Sequence, residues 1–166
     1  RGSERNVLNR YYECAKKFKS NHILRITGDC PLIDPKLVDE LIKKYQASKV
    51  DYASNVINRT FPDGMDMEIF SFKSLKIANE NVILKKDKEH VTDYFLRSNR
   101  FKKLNHLSKK ENYSFLRITL DNKNDFLLIK KRKVTLKDYY YLTKKNDLKE
   151  AAKNLYSTLR KIKKNR

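Results

Sequence analysis

Residues 22–35 constrain the fold more than any other stretch of this chain. His22-Ile23-Leu24-Arg25-Ile26-Thr27 is short, apolar and rich in β-branched residues, and it breaks at Gly28-Asp29-Cys30-Pro31 before Asp34-Pro35. The first run reads as a strand and the second as a loop, because Gly and Pro punctuate regular structure. Asp34-Pro35 reads as a helix start, since aspartate can accept from the free N–H groups there and proline suits the first helical position. A strand that hands over to a helix across so short a loop is the unit of an α/β layer.

The remaining pattern repeats that alternation. Val7, Leu8, Tyr11, Tyr12, Ala15 and Phe18 fall at helical spacing, and Leu37, Val38, Leu41, Ile42 and Tyr45 do the same after Pro35. A short strand is predicted at 51–54, a turn-rich stretch at 58–64, and a half-buried strand at 65–70, where apolar and acidic residues alternate. Helices are predicted over 72–79 and 88–97, and a strand over 114–120. Further helices are predicted to begin near Asn124, Leu136 and Leu148. Strands alternating with helices point to an α/β fold with a largely parallel sheet.

At 166 residues the chain can bury a core of its own. No apolar run approaches the roughly 20 residues of a membrane span, no signal peptide is visible, and a cytoplasmic protein is expected. Cys14 and Cys30 are too far apart for a CxxC motif, and His22, His90 and His106 lack zinc-helix spacing. The net charge of +19 raises nucleic-acid binding as a reading. Its distribution tempers that: residues 1–125 carry 25 Lys/Arg against 17 Asp/Glu, and residues 126–166 carry 14 against 3. The excess sits largely as lysine in segments of helical pattern, where solvated faces account for it better than a specific nucleic-acid partner does. The expected division is accordingly a main α/β part, 1–125, and a basic helical extension of the same domain, 126–166.

In sheets of this kind ligands bind beyond the carboxyl ends of the strands. Asp29 follows the strand at 22–27 and Asp121 follows the strand predicted at 114–120. Converging at one sheet edge, two carboxylates would suit Mg²⁺, a hard cation that takes oxygen ligands and shares them with substrate phosphates. Spacing alone favours a plain turn or cap role for each. In Pro62-Asp63-Gly64-Met65-Asp66-Met67-Glu68, Gly64 permits a tight turn, and Asp66 and Glu68 share a strand face from which they could accept from sugar hydroxyls. A solvated acidic edge strand is the plainer alternative. Glu89-His90 near a helix start could hold a substrate or be a capping surface pair.

Arg25-Ile26-Thr27-Gly28-Asp29-Cys30-Pro31-Leu32-Ile33-Asp34 resembles the R-x-T-G-D-C-P-L-I-D signature of the spore-coat polysaccharide cytidylyltransferase family, relatives of CMP-KDO synthetase and acylneuraminate cytidylyltransferase. The resemblance continues in order through Gly2-Ser3 with Asn6-Val7-Leu8-Asn9-Arg10-Tyr11, Tyr52-Ala53-Ser54-Asn55 and Phe61-Pro62-Asp63-Gly64-Met65-Asp66-Met67-Glu68. It then takes in Glu89-His90-Val91-Thr92 and Arg117-Ile118-Thr119-Leu120-Asp121. It covers roughly residues 1–145.

The resemblance implies a three-layer nucleotide-diphospho-sugar transferase fold, similar to the GT-A glycosyltransferases. It also implies a Mg²⁺-dependent reaction in which a sugar oxygen attacks the α-phosphate of CTP and pyrophosphate leaves, activating the sugar for surface polysaccharide biosynthesis. Asp29 and Asp121 are then the implied catalytic metal ligands. Arg25, Thr27, Gly28, Pro62, Gly64, Asp66, Glu68, Glu89 and His90 are the implied substrate-binding residues. The implied partners are CTP, a sugar (acidic sugars included) and a second copy of the chain, without a specific nucleic acid or a membrane.

The family opens with a strand and a loop of the type Q-A-R-x-x-S-x-R-L-P-x-K, to which nothing here corresponds. The expected sheet therefore lacks its first strand, and the chain is expected to depend on that missing segment for CTP binding and activity. Two rival readings remain: a GT-A-type glycosyltransferase using Asp66-Met67-Glu68 as its acidic metal motif, and a basic nucleic-acid-binding protein.

Overall fold

The computed structural model describes residues 2–109 and 111–122. The chain divides into two compact units, Arg1–Ile118 and Thr119–Arg166. The first unit contains, in order, α1 (Val7–Lys17), β1 (His22–Ile26), α2 (Pro35–Ala47), β2 (Tyr52–Ser54) and β3 (Met67–Ser71). These are followed by α3 (Phe72–Asn81), α4 (Lys85–Glu89), α5 (Asp93–Arg97) and β4 (Lys103–Asn105). The helices expected from Asn124, Leu136 and Leu148 lie outside the described residues.

Local chemistry sets the helix starts. The Asn6 side chain accepts from Asn9 N at 3.0 Å, Asp34 from Lys36 N at 2.8 Å, and Ser71 from Ser74 N at 3.0 Å. Each satisfies an amide that has no partner within its own helix. Pro35 stands in the first turn of α2, where its missing N–H costs nothing.

The four strands form one mixed sheet in the order β1-β3-β2-β4. The largely parallel sheet expected from the sequence is not what forms among the described residues. β3 runs antiparallel to both neighbours, β1 and β2, and only β2 and β4 pair in parallel. The physical reason lies in the connections. Helix α2 carries the chain from β1 to β2, and α3 to α5 carry it from β3 towards β4. The link from β2 to β3 contains no crossover helix, and a direct link returns a strand antiparallel. One reversed strand in the interior of the sheet thus makes two of the three pairings antiparallel.

Side chains alternate across the sheet, so each strand contributes to two apolar clusters. On one face Ile23, Tyr52 and Phe70 meet Leu8, Leu75, Ala78, Val91, Phe95 and Phe101. Phe95 joins this cluster together, with its ring 4.9 Å from Phe70 and 4.8 Å from Phe101. On the other face Leu24, Ala53, Ile69 and Leu104 meet Leu41 and Tyr45 of α2. The strand predicted as half-buried is therefore buried on both faces: Met67, Glu68, Ile69 and Phe70 are all inaccessible.

The expected helix at 88–97 forms as two short helices. Asp87, fully buried in α4, takes a bidentate pair from Arg97 in α5, with Nη1 donating to Oδ1 at 3.0 Å. The pair draws the two helices together across Val91 and Thr92, which are buried in the gap. The strand expected at 114–120 is also absent. Ser114 and Phe115 turn, closed by Leu116 N to Tyr113 O at 2.9 Å, and only Arg117 makes a bridge, in parallel with Asp63. No helix among the described residues is long and apolar enough to cross a membrane.

Candidate active site

Beyond Ile26 the chain makes two successive turns, closed by Cys30 N to Thr27 O at 3.3 Å and by Ile33 N to Cys30 O at 3.4 Å. Cys30 points inward and is buried, with its Sγ 3.1 Å from Thr27 Oγ1 and 3.8 Å from Asp29 Oδ1. A backbone hydrogen bond from Asp66 also reaches this sulfur. Burial pushes the Cys30 thiol up, and the carboxylates of Asp29 and Asp66 add to the shift against those hydrogen bonds. The turn after β1 is thus tied to the segment that leads into β3. A Cβ placed on Gly28 would meet no atom of the described residues within 4 Å, so none of them occupies the space before it.

The facing loop, residues 55–66, is set by Asn55 at the end of β2. Asn55 is buried, donating from Nδ2 to Met65 O at 2.7 Å and accepting from Met67 N at 3.0 Å. Met65 N bonds Pro62 O at 3.1 Å, and Gly64, third in that turn, has φ 101°. This is the left-handed backbone that glycine adopts without a Cβ clash. Pro62 and Gly64 are both buried.

Arginines occupy the acidic residues of this loop. Arg59 holds Asp66 through both nitrogens, Nη2 to Oδ2 at 2.9 Å, and lies 3.7 Å from Asp63. Arg117 donates to Asp63 Oδ2 at 2.7 Å. The hydrogen bond to Asp66 raises the Arg59 pKa, with burial opposing it. Glu68 is buried beneath the sheet helices. It pairs with Arg25, its cross-strand partner, and accepts from the Tyr52 hydroxyl at 2.6 Å. Burial works against the charge on Arg25, but Glu68 outweighs it and the Arg25 pKa is raised. Burial and then the Glu68 charge push the Tyr52 hydroxyl far above its ordinary value.

Thr27, Gly28, Asp29 and Asp66 come together where β1 ends and β3 begins, with the Pro62–Gly64 turn continuing the same loop. Arg25 and Glu68 are occupied by one another. Glu89 and His90 are exposed at the end of α4. Asp121 belongs to the second unit and is exposed there. Asp29 stands apart from the other loop acids: Asp63, Asp66 and Glu68 each face an arginine, and Asp29 has no cationic partner among the described residues. Sequence patterns did not single out Asn55, Arg59 or Arg117 as structural determinants. The one available signal was that Asn55 directly follows a strand.

The chain matches the family model described as cytidylyltransferase over residues 1–165. It is 35% identical over 132 residues to an uncharacterized protein of Methanocaldococcus jannaschii, covering 77% of this chain and 52% of that protein. It is 31% identical over 133 residues to the spore coat polysaccharide biosynthesis protein SpsF of Bacillus subtilis, covering 78% of this chain and 54% of that protein. The chain spans about half the length of these curated relatives. A cytidylyltransferase structure from Leptospira borgpetersenii serovar Hardjo-bovis superposes with a TM-score of 0.75 at 27% identity, over 99% of this chain and 66% of that one. The signature read at 25–34, the loop built around it and these matches together place the chain in the cytidylyltransferase family.

Proposed function

We propose that the protein is a Mg²⁺-dependent nucleotidyltransferase that transfers CMP from CTP to a sugar for surface polysaccharide biosynthesis. In this reaction a sugar hydroxyl oxygen forms a bond to the α-phosphorus of CTP, and the bond from that phosphorus to the bridging oxygen breaks, releasing pyrophosphate. The observation that carries the reading is the contrast at the end of β1. Gly28 faces open space and Asp29 keeps its carboxylate clear of any described cation, while the neighbouring acids are neutralised by arginines.

The residues fit the implied metal. No group of three or more His, Cys, Asp and Glu side chains gathers to hold a metal ion among the described residues. Mg²⁺ needs no such cage, since it binds through one or two carboxylates together with substrate phosphates. Asp29 would hold it from the first unit, and Asp121 of the second unit is the other carboxylate that the family resemblance implies. When bound it would offset negative charge gathering on the phosphates.

Gly28 lets a phosphate approach the backbone closely. The arginine-braced loop from Pro62 to Asp66, with Glu89 and His90, would wall the sugar side. A three-layer GT-A-like architecture and a cytoplasmic location belong to the same proposal, and the two apolar clusters on opposite sheet faces support the first. The glycosyltransferase reading loses its motif here, because Arg59 occupies Asp66 and Arg25 occupies Glu68.

The test is pyrophosphate release from CTP with a panel of neutral and acidic sugars, at varied Mg²⁺. It should be run with the wild-type protein and with Asp29→Ala. Metal-dependent release that Asp29→Ala abolishes is expected. Transfer of the sugar from a nucleotide-sugar donor, freeing a nucleoside phosphate with no CTP present, would overturn the reading.

A further inference from the structure

His106 is a titratable side chain buried to 1% exposure that this proposed chemistry leaves unused. It follows β4, and its backbone N bonds Ser54 O at 2.8 Å. Its ring stacks on Phe61, with centroids 5.3 Å apart and planes inclined by 18°. Asn105 and Ser108, one on either side of it in the chain, reach the same loop. Asn105 exchanges hydrogen bonds with the backbone of Asn58, and Ser108 N donates to Thr60 Oγ1 at 2.8 Å. The segment 105–108 is therefore a strap along the start of the loop that carries Arg59, Asp63, Gly64 and Asp66.

The charges around the ring are fixed by α2. Lys44 Nζ lies 2.9 Å from Nδ1, and an ammonium can only donate, so Nδ1 accepts and the proton of the neutral ring sits on Nε2. Nε2 has no hydrogen-bond partner among the described residues, and Glu40 Oε2 lies 4.0 Å from it. Glu40 is shared with Lys109 at 3.4 Å. Helix α2 thus offers one cation and one anion, the segment after β4 offers a second cation, and the loop side offers only the Phe61 ring.

We propose that His106 is a positioning residue, holding the Phe61–Asp66 loop in place only while its ring is neutral and accepts from Lys44. Protonating Nδ1 would set a second positive charge against Lys44 inside the protein, and the cheapest relief moves the ring off Phe61. Burial and then the Lys44 charge lower the His106 pKa, so the neutral form is the one the fold selects. The inference deepens the proposed function, because the loop it moves is the one assigned there to the sugar. Its test needs no turnover, and so it can fail while that function stands.

The test is an NMR titration of the full chain, following the His106 ring nitrogens and the amide of Gly64, whose positive φ makes it sensitive to the loop. The ring nitrogens are expected to report the Nε2–H form at neutral pH. The Gly64 amide is expected to shift with the same midpoint as the ring, below the ordinary histidine range. Lys44→Met should raise both midpoints together by removing the like charge. His106→Phe keeps a ring against Phe61 and should abolish that phase of the Gly64 shift. A Gly64 amide that stays still as the ring titrates would overturn the proposal. So would one that moves at an unchanged midpoint in His106→Phe, since the loop carboxylates would then be its cause.

Discussion

Arg25 on β1 and Glu68 on β3 are register partners, and their side chains form an ion pair on the sheet face that carries Tyr52 and Phe70, with Glu68 only 4% exposed and also held by Tyr52. Both residues sit inside the motifs that resemble a substrate site, yet the pair joins the edge strand β1 to the middle of the sheet. Burying one unpaired charge costs far more than burying a matched pair. We expect Arg25→Ala to destabilise the protein by about 3–5 kcal/mol, and Glu68→Ala to do the same. Tyr52→Phe should cost about 1.5–3 kcal/mol, the worth of a hydrogen bond to a charged group. Urea unfolding followed by circular dichroism measures all three. A loss of CTP or sugar affinity at unchanged stability would instead make Arg25 a ligand contact.

The two glycines of the site should respond in opposite ways. Gly64 has φ 101°, where a Cβ clashes with its own backbone, so Gly64→Ala should cost about 1–2 kcal/mol. Gly28 has open space before it, and Gly28→Ala should leave stability within about 0.5 kcal/mol. On the proposed function it should still weaken nucleotide binding, because the added methyl occupies the approach of a phosphate. Thermal unfolding and CTP calorimetry on the same two variants separate the outcomes.

Acid should loosen the fold through His106. Its folded pKa is lowered from the ordinary value by burial and then by Lys44. The unfolded chain therefore binds more protons between that lowered pKa and about 6.5. Its contribution to stability is complete above about pH 6.5 and is lost as the pH falls through the folded pKa. The urea midpoint of the wild type should fall across this window, and that of His106→Phe should fall less. Parallel curves for the two proteins would contradict this.

The parts of the fold that were legible in the sequence are those set by neighbours along the chain. Residues 22–35 held their own signals: a β-branched run, a Gly-Asp-Cys-Pro break, and a capping aspartate with proline behind it. The structure has β1, two turns and a capped α2 there. Strand direction was not legible, because it depends on which strand β3 inserts between, a matter of pairings far apart in sequence. β4 was missed for a related reason: Lys103-Leu104-Asn105 has one apolar residue and no period, and it is a strand only because β2 supplies its partner.

The candidate site divides in the same way. Asp29 was visible as an acid at a strand end. That Asp66 and Glu68 would be occupied by arginines was not, since the partners Arg59 and Arg25 carry no pattern that links them to these acids.

The thiols give a direct check on the turn after β1. Cys14 is exposed on α1, and Cys30 is buried with its pKa raised chiefly by that burial. Thiolate is the reactive form, so both access and ionisation disfavour Cys30. At pH 8 an uncharged maleimide should modify Cys14 rapidly and Cys30 only on unfolding, as read by mass spectrometry of the peptides. Equal rates in the native protein would mean that the 27–33 turns open readily.

Metal binding separates the two transferase readings without any turnover. On the cytidylyltransferase reading the cation belongs to Asp29, and on the glycosyltransferase reading it belongs to Asp66 and Glu68. Mn²⁺ shares the oxygen preference of Mg²⁺ and broadens nearby nuclear signals, so the amides it bleaches identify the acid it visits. With CTP present, bleaching is expected around Gly28 and Cys30, and Asp29→Asn should remove it without loss of stability, since no arginine among the described residues pairs with that carboxylate. Asp66→Asn should leave the bleaching in place and cost about 1 kcal/mol, because the Arg59 pair it breaks is partly exposed. If Asp66→Asn removed the bleaching and Asp29→Asn did not, the cation would sit on the loop acids, and the arginine pairs seen there would have to open to admit it. The assignment of Asp29 would then fall, together with the distinction drawn between it and its neutralised neighbours.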